Sequence, residues 1–221
     1  MKGDVILVEN YHREAAGQLL PHLSVALEDA ERPLAITVAG ESGSGKSELA
    51  RAIADALAEE GARAVVLGQD DYFHLPPKSN DRKRRADPTW LGPHVEVNLP
   101  LLDEHLNLIQ GGASSLEKPL VNYDEDRIEQ ERVDIGNVEA VIAEGTYTSL
   151  LKRADLRIFI LRNRLDTLAH RKKRNRGGEA DDPFIESVLK LEHKIIAGHR
   201  NLANFLISKD FQLIDSNPKV L

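Results

Sequence analysis

The chain has 221 residues, of which 41% are hydrophobic and 29% are charged, and its net charge is −7. This composition excludes a disordered chain and an integral membrane protein, and the negative charge argues against general nucleic-acid binding. Cysteine is absent, which excludes disulfides and thiolate metal sites, and the apolar run near the N-terminus is too short for a signal peptide. We therefore expect a single cytoplasmic domain over residues 1–221 with no membrane or nucleic-acid partner.

The hydrophobic pattern alternates short apolar runs with stretches of helical periodicity. The predicted strands are residues 5–8, 34–39, 64–67, 140–143, 156–161 and 211–214. The predicted helices are residues 15–27, 46–60, 99–109, 165–174 and 183–205. Two polar stretches remain, a long proline-containing loop at residues 71–98 and a mixed region at residues 113–137.

Strands that alternate with helices indicate a mainly parallel sheet with helices on both faces, which is a three-layer α/β/α fold. Ligands bind to such sheets at the carboxyl ends of the strands. In this chain those ends carry Gly40, the neighbours Asp70 and Asp71, and Glu144. The chemistry of the protein is therefore expected at these positions.

Residues 40–47 match the phosphate-loop pattern G-x-x-x-x-G-K-[ST] between a predicted strand and a predicted helix. The glycines let the backbone curl so that its N–H groups and the helix N-terminus face phosphate oxygens. Lys46 would neutralise the β- and γ-phosphates of ATP, and the Ser47 hydroxyl would bind Mg²⁺. The alternative interpretation is a flexible glycine turn. The predicted nucleotide-binding residues are Gly40, Glu41, Ser42, Gly43, Ser44, Gly45, Lys46, Ser47 and Glu48.

Two acidic strand ends complete the chemistry that ATP requires. Glu144 is predicted to hold Mg²⁺ together with Ser47, and a solvated turn glutamate is the alternative. Asp70 is predicted to accept the proton of a substrate hydroxyl. Its neighbour Asp71 offers the same group, and the sequence leaves the choice between them open.

Basic residues gather in two segments. Arg171, Arg174 and Arg176 lie in a predicted helical lid at residues 164–182, where they would stabilise the charge of the transferred phosphoryl group. A second cluster at residues 78–85 lies in the long loop, and it would face an anionic acceptor or simply be solvated. Trp90, at the end of that loop, would stack on a substrate or anchor the loop.

These segments together resemble the uridine kinase/phosphoribulokinase family. The resemblance rests on residues 40–47, 69–73, 119–124, 141–145 and 171–176, which occur in the order seen in that family. It implies ATP and Mg²⁺ as cofactors, with Asp70 as the base, and with Ser47 and Glu144 as metal ligands. It also implies a substrate pocket shaped by Tyr72, Trp90 and Tyr123, with Arg176 and the other lid arginines on the phosphates.

The acceptor side departs from the family pattern. The segment in which uridine kinases place a ribose-binding aspartate reads Trp90-Leu91-Gly92-Pro93-His94 here, and Glu125-Asp126-Arg127 follows Tyr123-Asp124. We therefore expect a small-molecule kinase with uridine as the leading acceptor. A phosphorylated sugar or hydroxy acid is the first alternative, and a nucleotide-dependent switch is the second. A homo-oligomer is left open.

Overall fold

The computed structural model describes residues 1–3, 5–167 and 182–216 of the chain. The strands are β1 (Leu34–Gly40), β2 (Ala64–Gly68), β3 (Ser115–Asn122), β4 (Arg127–Asp134), β5 (Ala140–Gly145), β6 (Leu156–Ile160), β7 (Phe205–Ile207) and β8 (Leu213–Ser216). The helices are α1 (Asn10–Glu28), α2 (Lys46–Glu59), α3 (Pro77–Ala86), α4 (Leu99–Gln110) and α5 (Pro183–Ile196).

Six strands form one sheet in the order β2-β5-β1-β6-β7-β8. All neighbours are parallel except β7 and β8, which pair antiparallel. Strands β3 and β4 form a separate antiparallel hairpin. The mainly parallel α/β sheet that the sequence predicts is confirmed, and its central strand β1 leads directly into the phosphate loop.

The alternating side chains of β1 show how the sheet separates two hydrophobic layers. Ile36 and Val38 pack in one cluster with α1 and α2. Ala35 and Ala39 point to the other face and pack in a second cluster with α4. Every residue of β1 is buried, as expected for a parallel strand that is covered on both faces.

Two predictions about local structure are wrong, and one region without a predicted element is ordered. Residues 5–8 form no strand: Val5 and Ile6 are 64% and 48% exposed, and Val8 is the partly buried residue of the run that packs against the core. The last helix ends at Ile196 rather than at 205, and residues 205–207 belong to β7. The mixed region 113–137 contains the β3–β4 hairpin, whose polar outer strand gives no hydrophobic alternation.

The long loop is more ordered than expected, since α3 occupies residues 77–86 within it. Proline near the first position of that helix costs no hydrogen bond, because the first helical N–H groups are unpaired in any case. The lid arginines Arg171, Arg174 and Arg176 lie outside the described residues. Among the helices that are described, none is long and apolar enough to cross a membrane.

Candidate active site

The phosphate loop joins β1 to α2 and depends on a glycine at its last turn. Gly45 is the N-cap of α2 with φ +96°, a left-handed conformation that side chains disfavour. A Cβ atom there would lie 2.6 Å from Cζ of Phe211. The Phe211 ring in turn packs against Tyr11 and His12 of α1, with centroids 4.9 and 4.6 Å apart. Segments from both ends of the chain therefore hold the loop.

Lys46 and Ser47 follow the loop and face polar partners. Lys46 Nζ donates to the backbone oxygen of Glu41 at 2.9 Å, a contact within the loop itself. Ser47 Oγ donates to Oε1 of Glu144 at 3.0 Å. Because β5 lies beside β1, with Glu144 opposite Val38, the strand end brings this carboxylate to the loop. The predicted metal residues Ser47 and Glu144 are therefore brought together.

Glu144 has an unusual electrostatic environment. Burial raises the pKa of its carboxyl group to about 7, and the negative charge of Asp70 acts in the same direction. The charge of Lys46 and the hydrogen bond from Ser47 lower it. A carboxylate and a hydroxyl oxygen side by side are hard oxygen ligands of the kind that Mg²⁺ prefers, so this pair fits the metal that ATP carries.

The two aspartates at the end of β2 have different environments, because a 3₁₀ turn (Gln69–Tyr72) follows the strand. Asp71 is 2% exposed, accepts a hydrogen bond from Lys118 Nζ at 2.8 Å, and accepts another from the Val121 N–H at 2.9 Å. Asp70 is exposed. Only Asp70 of the pair lines the cavity described next.

A cavity of about 620 Å³ extends from the phosphate loop to α3. Ser42 and Gly43 line it at one end, and Asp70 lies along its wall. Tyr123, at the tip of the β3–β4 hairpin, also faces it. Its charged lining residues are Asp70, Lys78, Asp81, Arg82, Arg84, Arg85, Asp182 and Glu192. The cavity therefore links the predicted phosphate site with the predicted acceptor loop.

Each arginine of α3 that lines this cavity is bound by a carboxylate. Arg84 Nε donates at 2.7 Å to Glu96, which is fully buried. Burial lowers the pKa of Arg84, but the hydrogen bond and the charge of Glu96 raise it by a larger amount, so the net shift is upward. Arg85 binds Asp81 and Asp182, at 2.8 and 2.6 Å.

The hairpin is tied to α3 by Asp126, which sits in the left-handed region with φ 50°. Its carboxylate accepts hydrogen bonds from the Lys78 N–H at 2.7 Å and from Ser79 Oγ at 2.8 Å, and it pairs with Arg82. Burial opposes the charged form, but these hydrogen bonds from Ser79 and Lys78 lower the pKa of Asp126 overall. The hairpin thus caps the N-terminus of α3 beside the cavity.

The aromatic residues predicted to bind substrate are dispersed. Tyr72 is 1% exposed, and its hydroxyl hydrogen-bonds with His105 Nδ1 at 2.8 Å within the core. Trp90 donates from Nε1 to Asn80 Oδ1 at 2.7 Å and lies against α3, outside the set of described residues that line the cavity. Tyr123 alone of the three lines the cavity, with Lys78 Nζ 5.9 Å from its ring centroid.

The remaining residues predicted to bind nucleotide are partly enclosed by other elements. Glu41, Ser44 and Glu48 are 6%, 0% and 1% exposed. Glu41 contacts His193 of α5 and accepts a hydrogen bond from the Arg164 N–H at 2.6 Å. Their roles in nucleotide binding stay predictions.

Sequence reasoning missed Glu192, which lies on α5 and contacts the phosphate loop. Its carboxylate accepts hydrogen bonds from the N–H and the Oγ of Ser42, at 2.8 and 2.9 Å. One signal was available: Glu192 follows Val188 and Leu189 at helical spacing, so a charged residue lies on an apolar helix face. Such a residue requires a partner, but the sequence does not identify it.

The chain is similar to several known proteins. A family model described as Zeta toxin matches residues 22–96, a range that contains β1, the phosphate loop and α3. A bifunctional alpha-galactosidase/sucrose kinase from Mediterraneibacter gnavus is 28% identical over 82% of this chain, which spans only 21% of that protein's length. A uridine kinase from Ureaplasma parvum is 27% identical over 76% of this chain and 93% of its own.

Two solved structures share the fold. A D-glycerate 3-kinase from Cryptococcus neoformans var. grubii has a TM-score of 0.61 at 15% identity, covering 94% of this chain and 99% of its own. A candidate fructose transport system kinase from Silicibacter sp. TM1040 has a TM-score of 0.59 at 18% identity, covering 86% and 93%. The comparisons confirm the fold class and the family resemblance that the sequence motifs indicate.

Proposed function

We propose that this chain, a uridine kinase-like P-loop kinase, transfers the γ-phosphoryl group of ATP to a hydroxyl of a neutral small molecule, with uridine as the first candidate. The observation that carries the proposal is the single cavity that joins Ser42 and Gly43 of the phosphate loop to the exposed carboxylate of Asp70. A donor site and a proton acceptor that share one cavity are what phosphoryl transfer to a hydroxyl requires.

The donor end would bind ATP through the phosphate loop. The loop N–H groups and Lys46 would neutralise the β- and γ-phosphates. Ser47 and Glu144 would hold Mg²⁺, which when bound draws charge from the phosphate oxygens. The lid arginines Arg171, Arg174 and Arg176 are proposed, from the sequence, to neutralise the transferred group and to exclude water.

The acceptor end would use Asp70 as the base. As the acceptor oxygen forms its bond to the γ-phosphorus, the bond from that phosphorus to the bridging oxygen of ADP breaks, and the hydroxyl proton passes to Asp70. Asp71 is the less suitable candidate, because Lys118 and the Val121 N–H already occupy its carboxylate. Proton acceptors must reach the substrate within hydrogen-bonding distance, and the exposure of Asp70 along the cavity wall supports this role.

The charges of the cavity favour a neutral acceptor. Arg82, Arg84 and Arg85 each bind a carboxylate of the chain. Near the phosphate loop the cavity presents the exposed carboxylate of Asp70, which would repel an anionic acceptor. Carboxylates also bind the hydroxyl groups of a nucleoside or sugar, and Tyr123 offers a ring on which a base or sugar would stack.

A phosphorylated acceptor is the second candidate, and one observation favours it. A phosphate group could replace the present partners of the basic side chains that α3 contributes to the cavity. These four residues are Lys78, Arg82, Arg84 and Arg85. A nucleotide switch is less well supported, since it needs neither this cavity nor an exposed Asp70. We also propose a cytoplasmic location and a single domain, both from the sequence.

An acceptor panel tests the proposal. ADP formation is measured with Mg²⁺-ATP, and separately with GTP, in the presence of uridine, fructose, sucrose, D-glycerate and ribulose 5-phosphate. We expect a neutral acceptor to raise the rate of ADP formation well above the rate without acceptor, and Asp70→Asn to abolish the increase. Stimulation by ribulose 5-phosphate alone would establish the second candidate. The same slow ATP hydrolysis with every compound would favour the nucleotide-dependent switch over a kinase.

A further inference from the structure

Glu192 is a buried carboxylate whose role the proposed chemistry does not explain. It is 6% exposed and lies on the face of α5 that carries Val188, Leu189 and Ile196 into the interior. An unpaired carboxylate in such a position destabilises a protein strongly, so its partners are informative.

Both oxygens of Glu192 bind one residue of the phosphate loop. Oε1 accepts from the N–H of Ser42 at 2.8 Å, and Oε2 accepts from its Oγ at 2.9 Å. The next residue of the helix, His193, contacts the carboxylate of Glu41, the preceding residue of the loop. Two consecutive residues of α5 therefore hold two consecutive residues of the loop.

The pKa of Glu192 is raised overall, and burial is the largest cause. Burial raises the pKa of Glu192, whereas the Ser42 hydrogen bonds and the charges of Lys46 and Arg84 lower it. The positive charges of Lys46 and Arg84 thus partly offset the cost of burying this carboxylate. Through Ser42, it acts on the part of the loop that faces the cavity.

We propose that Glu192 is a positioning residue that holds the phosphate loop in the conformation that receives the triphosphate. A glycine-rich loop has many accessible conformations, and ordering it on binding would reduce affinity. The two hydrogen bonds that Ser42 donates to Glu192 of one rigid helix remove part of that cost before the nucleotide arrives. This inference rests on the proposed use of ATP.

Equilibrium binding of Mg²⁺-ATP tests it without requiring turnover. We expect Glu192→Ala to weaken binding about tenfold, which is the loss expected from one or two hydrogen bonds of ordinary strength. Glu192→Gln should restore affinity to within about threefold of the parent, because its Oε1 accepts from the Ser42 N–H while its Nε2 donates to Ser42 Oγ. The exposed Lys190→Ala, on the same helix, is the matched control and should bind normally.

The readouts separate positioning from general damage. Thermal melting of each variant shows whether it folds, and Glu192→Gln keeps the test valid if Glu192→Ala does not. Ser42→Ala should weaken binding in the parent but have little further effect in a Glu192→Ala background, as coupled residues do. Normal binding by a folded Glu192→Ala, or equal losses for Ala and Gln, would overturn the inference. If the parent itself fails to bind Mg²⁺-ATP, the proposed function fails and this inference fails with it.

Discussion

The two ends of the cavity are built in different ways. The donor end comes from residues 40–47, which run from the end of β1 into the first turn of α2, joined by one carboxylate from the neighbouring strand β5. The acceptor end is assembled from α3, the β3–β4 hairpin and the N-terminus of α5. The first depends on a short contiguous pattern, whereas the second depends on side chains that are distant in sequence.

The acceptor end is held by charged partners rather than by backbone geometry. Glu96 joins Arg84 to Asn80, and Asn80 in turn accepts the indole N–H of Trp90. Asp126 holds the start of α3, and Asp182 binds Arg85 near its end. A basic cluster in a sequence can therefore serve the architecture of a site as well as its substrate.

Removing the positive charge of Lys46 at the donor end should give the largest loss of activity. We expect Lys46→Ala to reduce kcat/KM by about 10³-fold or more, because the triphosphate loses its one full positive charge within the loop. Acceptor-stimulated ADP release measures the loss. Arg51→Ala on the exposed face of α2 is the control and should be normal. A fully active Lys46→Ala would refute the phosphate-loop assignment.

The acceptor base should come next. Asp70→Asn should lower kcat by about 10²-fold or more while Mg²⁺-ATP binding survives, because the amide cannot accept the hydroxyl proton. Rapid-mixing and equilibrium binding experiments separate the two effects. Unchanged turnover would exclude Asp70 as the base and return attention to its neighbour.

Asp71→Asn should lower the stability of the protein, whereas Asp70→Asn should lower its turnover. The loss of Asp71 removes the closer of two carboxylate partners of the buried Lys118 ammonium, which keeps Glu131 at 3.1 Å, so we expect the free energy of unfolding to fall by about 1.5 to 3 kcal/mol. Chemical unfolding measures this change. A stable Asp71→Asn that has lost turnover would exchange the roles of the two aspartates.

The smallest effect is expected at Trp90. Trp90→Phe removes the hydrogen bond to Asn80 Oδ1, so the free energy of unfolding should fall by about 1 kcal/mol. We expect less than about a threefold change in the KM for the acceptor, within the range of one weak contact. A larger rise in KM without a change in stability would favour the other interpretation, in which the indole stacks on the substrate.

The sequence predicts the donor end well, for a physical reason. Lys46 and Ser47 are defined by their own loop, and Glu144 by the end of a buried strand, so local patterns suffice to bring these groups together. The different environments of Asp70 and Asp71 were not predictable, because they depend on a 3₁₀ turn and on Lys118 in β3. The partner of Glu192 is a long-range contact of the same kind, and no local pattern identifies it.

The contact between Gly45 and Phe211 has a consequence for biosynthesis. Because the Phe211 ring packs against the last turn of the phosphate loop, the nucleotide site cannot be completed until the segment that precedes β8 has left the ribosome and docked. A growing chain that already contains β1, α2 and the whole acceptor region would still lack one wall of its loop. Nucleotide affinity should therefore arise only once Phe211 has joined the hydrophobic layer that it shares with α1 and α2.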